Sequence, residues 1–362
     1  MNTKLLSQAT DAAELLNNGE VVALPTETVY GLAGNATDAS IVKKIFEAKE
    51  RPSFDPLIVH ISDSYLNTES PLATLINEKI LDPAVLLWKN KMQIEELMKH
   101  FWPGPLTIIL PKGIKIPNEV TSNQATVGIR CPNHPLFQKV LHSIPFPLAA
   151  PSANRFGRIS PTTALHVQKE LDGRIAGILD GGECIVGVES TIIKITEDAA
   201  VLLRPGKISS SEIESQIKMK VSAAPSLMQA LAETSLAPGM LDEHYAPRKP
   251  LYLIPSSFKE RIGVEQLQKF THSKEESAAL ISMCGFHESF KSNPAQQIRI
   301  LSETESEIEM AQKLFSTMRE LDENPAIETI FADSPKQIRE GLGASIFDRL
   351  KRASRNKPNS PL

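Results

Sequence analysis

The chain has 362 residues, which is long for one domain and suits two. Hydrophobic residues make up 41% and charged residues 23%, an ordinary soluble composition, and no apolar run approaches the length of a membrane span. A net charge of −4 argues against a general electrostatic grip on nucleic acid, so any such contact would need a local basic patch. Cys131, Cys184 and Cys284 form no CxxC pair and no zinc spacing; they read as free thiols in a reducing compartment. The N-terminus lacks the apolar core of a signal peptide, and the expected location is the cytoplasm.

In chain order, Asp11 to Asn18 reads as the first helix, stopped by Gly19. The run Val21-Val22-Ala23-Leu24 then leaves at Pro25 into Thr26-Glu27-Thr28. Period-two alternation would put the hydroxyls of Thr26 and Thr28 on one side of an extended segment. Ala39 to Lys49 is a helix with Ile41, Val42, Ile45 and Phe46 on one face, and Lys49 and Arg51 follow as two cations before Pro52. A hydroxyl ledge and a basic hook suit a small anionic ligand; a turn beside a solvated basic surface is the equal alternative.

Leu57–Ile61, Leu106–Leu110, Val127–Arg130 and Ser190–Ile195 are short, β-branched and bounded by Pro or Gly, so they read as strands. With helical patterns between them they give an α/β or α+β domain around a twisted, largely buried sheet. The segment from Ser64 to Lys99 is long, and its Asn- and Lys-rich middle reads as a surface excursion. Arg51, Arg130 and Arg204 read as three strand-end cations that, with Lys49, would make a polyphosphate and carboxylate site if the ends converge. Ala149-Ala150-Pro151-Ser152-Ala153-Asn154 lets a ligand approach backbone closely, and Ser160-Pro161 suits either a ligand or a helix cap. The Pro-rich stretch around Ala237 to Pro247 reads as a linker. Beyond it, Leu251–Ile254, Ala278–Met283, Ile298–Leu301 and Thr329–Ala332 read as strands. Met310, Leu314, Met318 and Leu321, and then Ile338, Leu342, Ile346 and Leu350, fall at helical spacing. These make a smaller, partly parallel, Rossmann-like unit without a dinucleotide fingerprint. Arg349, Lys351, Arg352, Arg355 and Lys357 read as a solvated basic tail, with a weak RNA contact as the alternative. No Walker A sequence, nucleophile elbow or HExxH is present, and no nucleophile–base pair stands out.

The set PTETVYGL, KERPSFDPLIVH, WPGPLT, TVGIRCP, APSANRFGRISPT, GVESTII, LLRPG and APGMLDEHYAP resembles, in order and spacing, the threonylcarbamoyl-AMP synthase family in its long two-domain form. The resemblance implies a twisted mixed-sheet α/β catalytic domain with a concave basic cavity over residues 1–206. A linker or lid would cover 207–250, and the Rossmann-like domain 251–362. It implies a nucleotidyltransferase that turns L-threonine, bicarbonate or CO2 and ATP into threonylcarbamoyl-AMP and pyrophosphate. A partner transferase would pass the group to adenosine 37 of tRNAs reading ANN codons. By motif, L-threonine would meet Thr28, His60, Arg130, Ala150 and Ser190. ATP, with Mg2+, would meet Arg51, Asp55, Thr126, Ser152, Asn154, Ser160, Arg204 and Tyr245, and Lys49 and Arg51 would be catalytic. Asp55 departs from the family's usual asparagine. A double-stranded-RNA chaperone and a carbamoyl-transfer maturation factor are the alternatives; the acidic charge disfavours the first, and the missing zinc-finger cysteines the second.

Overall fold

The computed structural model describes residues 2–223, 244–254, 278–284, 297–333 and 340–355. The chain divides into two compact units, residues 1–156 with 160–240, and residues 157–159 with 241–362.

The first unit is built on an 11-stranded mixed sheet. Its strands are β1 (Lys4–Leu6), β2 (Val22–Leu24), β3 (Gly31–Asn35), β4 (Ile58–His60), β5 (Leu106–Pro111), β6 (Thr126–Arg130), β7 (Leu148–Ala149), β8 (Gly177–Leu179), β9 (Thr191–Ile195), β10 (Ala200–Arg204) and β11 (Val221–Ala223). The order is β1-β8-β2-β3-β7-β4-β6-β5-β9-β10-β11. At its centre β4 runs parallel to β6, with His60 opposite Arg130. β5 is antiparallel to β6 and parallel to β9. One face of the central strands packs into the main core, where Val59, Ile108 and Ile129 are fully buried, and the other carries the small cluster Ile58, Ile109 and Ile192.

The helix Ala39–Lys49 forms where the sequence places it. Asp38 caps its first turn by accepting from Ser40 N at 2.8 Å, Ile41, Val42 and Ile45 are buried, and Glu50 ends it in the left-handed region at φ 54. The segment from Ser64 to Lys99, its middle included, is folded into the domain and makes no surface excursion. It folds into the helices Pro71–Asn77 and Lys91–Phe101 with 3-10 turns around them, and drives Leu72, Leu75, Ile80, Val85, Ile94, Leu97 and Met98 into the main core. Its polar residues line the outer face of amphipathic helices, as the apolar spacing requires.

Residues 207–223, read from the sequence as the start of the connector, belong to the first unit. The helix Ser210–Ile217 opens on a capping box at Ser209 and Glu212, and β11 pairs in parallel with β10. Ser160 does not cap the next helix: that helix starts at Ala164, and Thr163 accepts from His166 N.

The second unit has four described strands, β12 (Leu251–Ile254), β13 (Ala278–Cys284), β14 (Gln297–Ser302) and β15 (Thr329–Asp333), in the order β12-β15-β13-β14. Every pairing is parallel, where the sequence suggested a partly parallel sheet. The helices Glu307–Glu323 and Leu342–Ala353 belong to the same unit. Ile338, read as part of the last helix, and Lys357 lie outside the described residues. Arg349 is no tail residue: it is wholly buried, its guanidinium 5.5 Å from the centre of the Tyr245 ring. The helical repeat that buries Ile346, Leu350 and Ala353 places Arg349 on the same inward face.

Candidate active site

The site begins where β2 ends. Thr26 Oγ1 accepts from Thr28 N at 3.0 Å and Val29 N at 3.2 Å and lies 2.8 Å from Thr28 Oγ1. The two hydroxyls share a side as expected, but through a hydroxyl-closed turn and not an extended strand. Gly181 packs beneath this turn. A Cβ there would come within 2.6 Å of Pro25 and 2.8 Å of His134, so only glycine fits.

Arg130, at the end of β6, reaches into the turn. Its Nη2 donates to Thr28 Oγ1 at 2.9 Å and pairs with Glu27 Oε1 at 2.8 Å, while Nε donates to Gly104 O at 3.3 Å. Both side chains of the ion pair are buried, 5% and 3% exposed. No hydrogen bond from Nη1 occurs among the described residues. His60 stands beside Arg130 by register, with Nδ1 3.2 Å from Ile58 O and its ring 5.4 Å from Phe137. Burial first, and the neighbouring guanidinium second, lower its pKa to about 3, so it is a neutral imidazole near pH 7. Ala150 donates its N–H to Ile58 O at 2.9 Å, and its methyl lies against Gly31, where an added Cβ would be 3.3 Å away. The structure therefore gathers Thr28, His60, Arg130 and Ala150. Ser190, just before β9, is tied in through Thr107 of β5, with 2.8 Å between the hydroxyls.

The cations sit differently from the simple hook that the sequence suggested, and Arg51 follows a helix and its left-handed end residue, so it is no strand-end cation. Lys49 is fully buried and donates to Ser152 O at 2.6 Å and to Asn154 O, while its own carbonyl accepts from Phe156 N at 2.8 Å. Burial, then the adjacent Arg51, hold its pKa well below the usual lysine value. Lys49 thus clamps the loop that carries Ser152 and Asn154. Arg51 donates to Asp55 O at 3.1 Å and Pro56 O at 2.9 Å and pairs with Asp55 Oδ2 at 2.8 Å. Asp55 is thereby engaged by a neighbouring cation; burial pushes its carboxyl up, against the pull of Arg51, Lys49 and Arg204. Arg204 donates to Ser190 O at 3.0 Å and Ser190 Oγ at 3.1 Å.

Ser160 donates to the buried Glu189. Thr126 opens the strand that Arg130 ends and lies four residues from it, roughly 13 Å along the strand. Tyr245 belongs to the second unit, where its ring stacks 5.7 Å from Phe315 and meets His244 edge-on at 4.1 Å. Three residues absent from the sequence-derived set take part: Glu27, Glu189 and Thr107. All three lie inside the motifs quoted: Glu27 stands between two hydroxyl residues, Glu189 directly before two, and Thr107 closes WPGPLT, where its burial in a strand hid its role.

The pattern of a family described as telomere recombination matches residues 14–206, and that of the threonylcarbamoyl-AMP synthase C-terminal domain matches residues 208–355. A threonylcarbamoyl-AMP synthase of Pyrococcus abyssi is 38% identical over 345 residues, covering 95% of this chain and 93% of the relative. The chain belongs to the threonylcarbamoyl-AMP synthase family. A Bacillus subtilis member is 39% identical over 349 residues, covering 96% and 93% of the two chains. The crystal structure of P. abyssi Sua5 complexed with L-threonine superimposes with a TM-score of 0.80 at 34% identity, covering 98% of this chain and 97% of that one. Both the mixed α/β architecture and the two-domain form expected from the sequence agree with this membership. Among the described residues no helix is long and apolar enough to cross a membrane.

Proposed function

We propose that the protein is an L-threonylcarbamoyladenylate synthase, a nucleotidyltransferase that joins L-threonine, bicarbonate or CO2 and ATP into threonylcarbamoyl-AMP with release of pyrophosphate. The observation that carries this reading is the gathering of Arg130, Thr28, His60 and Ala150 at one point of the sheet, with Nη1 of the arginine left to a ligand, in a chain of this family. Arg130 takes the amino-acid carboxylate. The small Ala150 leaves room for the substrate, and the neutral His60 can hydrogen-bond it without adding charge. Ser190 completes the amino-acid set, while Arg51, Asp55, Thr126, Ser152, Asn154, Ser160 and Arg204 serve the nucleotide.

The carbamate formed from the threonine amine and CO2 decomposes readily in water, and its oxygen must reach the α-phosphorus of ATP. No side-chain nucleophile is needed, so catalysis is positioning and charge stabilisation. Lys49 acts here by fixing the Ser152–Asn154 loop, and Arg204 by fixing Ser190 and meeting phosphate charge. Mg2+ enters with ATP and screens its phosphates. Among the described residues no three His, Cys, Asp or Glu side chains converge to hold a metal, and Asp55 is committed to Arg51, so no step is routed through a protein-bound ion. The product then goes to a transferase acting on adenosine 37 of tRNA, in the cytoplasm. Incubation with ATP, L-threonine and bicarbonate tests the reading: pyrophosphate and the intact adenylate should appear together and require both cosubstrates. Equal pyrophosphate release without them identifies a plain ATP hydrolase instead.

A further inference from the structure

Glu27 has no role in the set that the resemblance assigns, yet it is the residue most tightly bound up with Arg130. Its Oε1 is 2.8 Å from Nη2, and the two side chains are 3% and 5% exposed. The Glu27 backbone is held, because its carbonyl accepts from Val186 N at 2.8 Å and the Thr26 hydroxyl closes the turn around it, and the ion pair with Arg130 places its carboxylate. The guanidinium cannot turn, since Thr28 and Gly104 hold its Nη2 and Nε edges. A ligand approaching Nη1 therefore meets a fixed pair of opposite charges with no net charge, in a setting too dry for solvent to screen either one. A dianion approaching such a pair is drawn by the arginine and repelled by the glutamate, and its second charge has no cation of its own. A zwitterionic amino acid brings one carboxylate for Nη1 and one ammonium that the glutamate attracts. Lys49 ends a helix, Arg51 follows it and Arg204 ends β10; they are served by Asp55 and by backbone and hydroxyl oxygens, so phosphate charge has a separate place to go.

We propose that Glu27 is a specificity-determining residue: by neutralising Arg130 it reserves this subsite for the carboxylate of a zwitterion and excludes phosphate dianions, pyrophosphate and the tail of ATP included. The amino-acid half of the statement rests on the proposed function; the exclusion of phosphate does not. The test is calorimetric titration of L-threonine into the full-length protein at rising inorganic phosphate, with sodium chloride at equal ionic strength as control. In the wild type the apparent threonine affinity should be unmoved by phosphate in large excess. In Glu27→Gln, which keeps the shape and removes the charge, phosphate should compete and weaken apparent threonine binding by roughly tenfold or more, the effect of one unbalanced charge at close range. Glu27→Asp keeps the charge and should exclude phosphate much as the wild type does. Competition of equal strength in the wild type and Glu27→Gln overturns the proposal, as does its absence from a folded Glu27→Gln. If that variant fails to fold, competition by phosphate in the wild type or in Glu27→Asp overturns it. Should the wild type bind no threonine even without phosphate, the proposed function fails; direct phosphate titration of the wild type and Glu27→Gln then still decides whether Glu27 keeps the dianion out.

Discussion

Arg130 in the first unit and Arg349 in the second are equally hidden, at 4% and 0% exposure, and they do different work. Arg130 leaves a strand end, where the side chain projects beyond the sheet and can face a ligand. Three contacts fix it, through Nη2 and Nε, and in the proposed function its remaining nitrogen takes the amino-acid carboxylate. Arg349 leaves the inward face of a helix, where its plane lies over the Tyr245 ring and its Nη1 is 3.3 Å from Asp348. There the guanidinium acts mainly as a flat packing element. Burial of a charge is therefore a poor guide to function by itself; the element that carries it decides whether the charge faces a substrate or a core.

The largest effect should come from breaking the first of these arrangements. Arg130→Ala strands the Glu27 carboxylate in the interior, which costs about 3–5 kcal/mol when one partner of a buried pair is removed. Threonine binding should vanish, and in whatever fraction folds ATP affinity should change far less, as titration with each ligand would read. A double-mutant cycle with Glu27→Gln should recover much of the stability without recovering threonine binding. A larger loss for ATP than for threonine would reverse the assignment of Arg130.

In the second unit Tyr245→Ala removes a ring that is 1% exposed and packed on Phe315, for a cost of about 3–5 kcal/mol. The loss should appear as an earlier transition of the second unit in denaturant, with the first unit's transition unmoved. The resemblance places this tyrosine on ATP. If ATP affinity falls while the second unit's stability stays put, the ring works on nucleotide and the packing role assigned here is wrong.

A smaller effect separates the two units by pH. His60 is neutral when folded, with a pKa of about 3, against about 6.5 when unfolded. A folded pKa below the unfolded one gives stability that is whole above pH 6.5 and is lost as pH falls towards 3. One unit below 6.5, at pH 5.5, the loss is roughly 1.4 kcal/mol. Urea unfolding at pH 7.5 and 5.5 should show this for the first unit in the wild type and not in His60→Gln. The same slope in both proteins would mean that another group titrates.

The strand ends were legible because short β-branched runs stop at Pro or Gly, so the sequence alone places Arg130 and Arg204 at the tips of strands, where both are found. Their counter-charges were not. Glu27 and Arg130 are 103 positions apart, and only the sheet order brings the β2 exit to the end of β6. Lys49 and Arg51 looked like one basic hook, but the left-handed Glu50 between them turns Lys49 under the Ser152 loop and Arg51 towards Asp55. The middle of Ser64 to Lys99 misled because its Asn and Lys residues drew attention from apolar residues that recur at helical spacing. Arg349 misled in the same way: a run of charges suggested solvent, although Ile346, Arg349, Leu350 and Ala353 share one helix face.

The subtlest probe of the strand-end site is Thr107, the last residue of the WPGPLT motif, to which the sequence assigns no role. It lies on β5 with no exposed surface, 2.8 Å from Ser190 Oγ. Ser190 Oγ also accepts from Arg204 Nη2 at 3.1 Å, so its orientation depends on both neighbours. Thr107→Val keeps the branched shape and deletes the hydroxyl, leaving Ser190 with the arginine alone. One buried hydrogen bond lost is worth about 1 kcal/mol of stability. The functional effect should exceed what that small loss suggests, because Ser190 would pivot towards Arg204 and away from the amino-acid set. The expected outcome is a several-fold weaker threonine affinity with ATP affinity nearly unchanged, and a stability loss confined to the first unit. Ser190→Ala, measured beside it, removes the group itself and should weaken threonine binding further. If Thr107→Val leaves threonine affinity at the wild-type value while stability falls, the Thr107–Ser190 contact is packing alone, and Ser190 is oriented by Arg204 without help from the strand beside it.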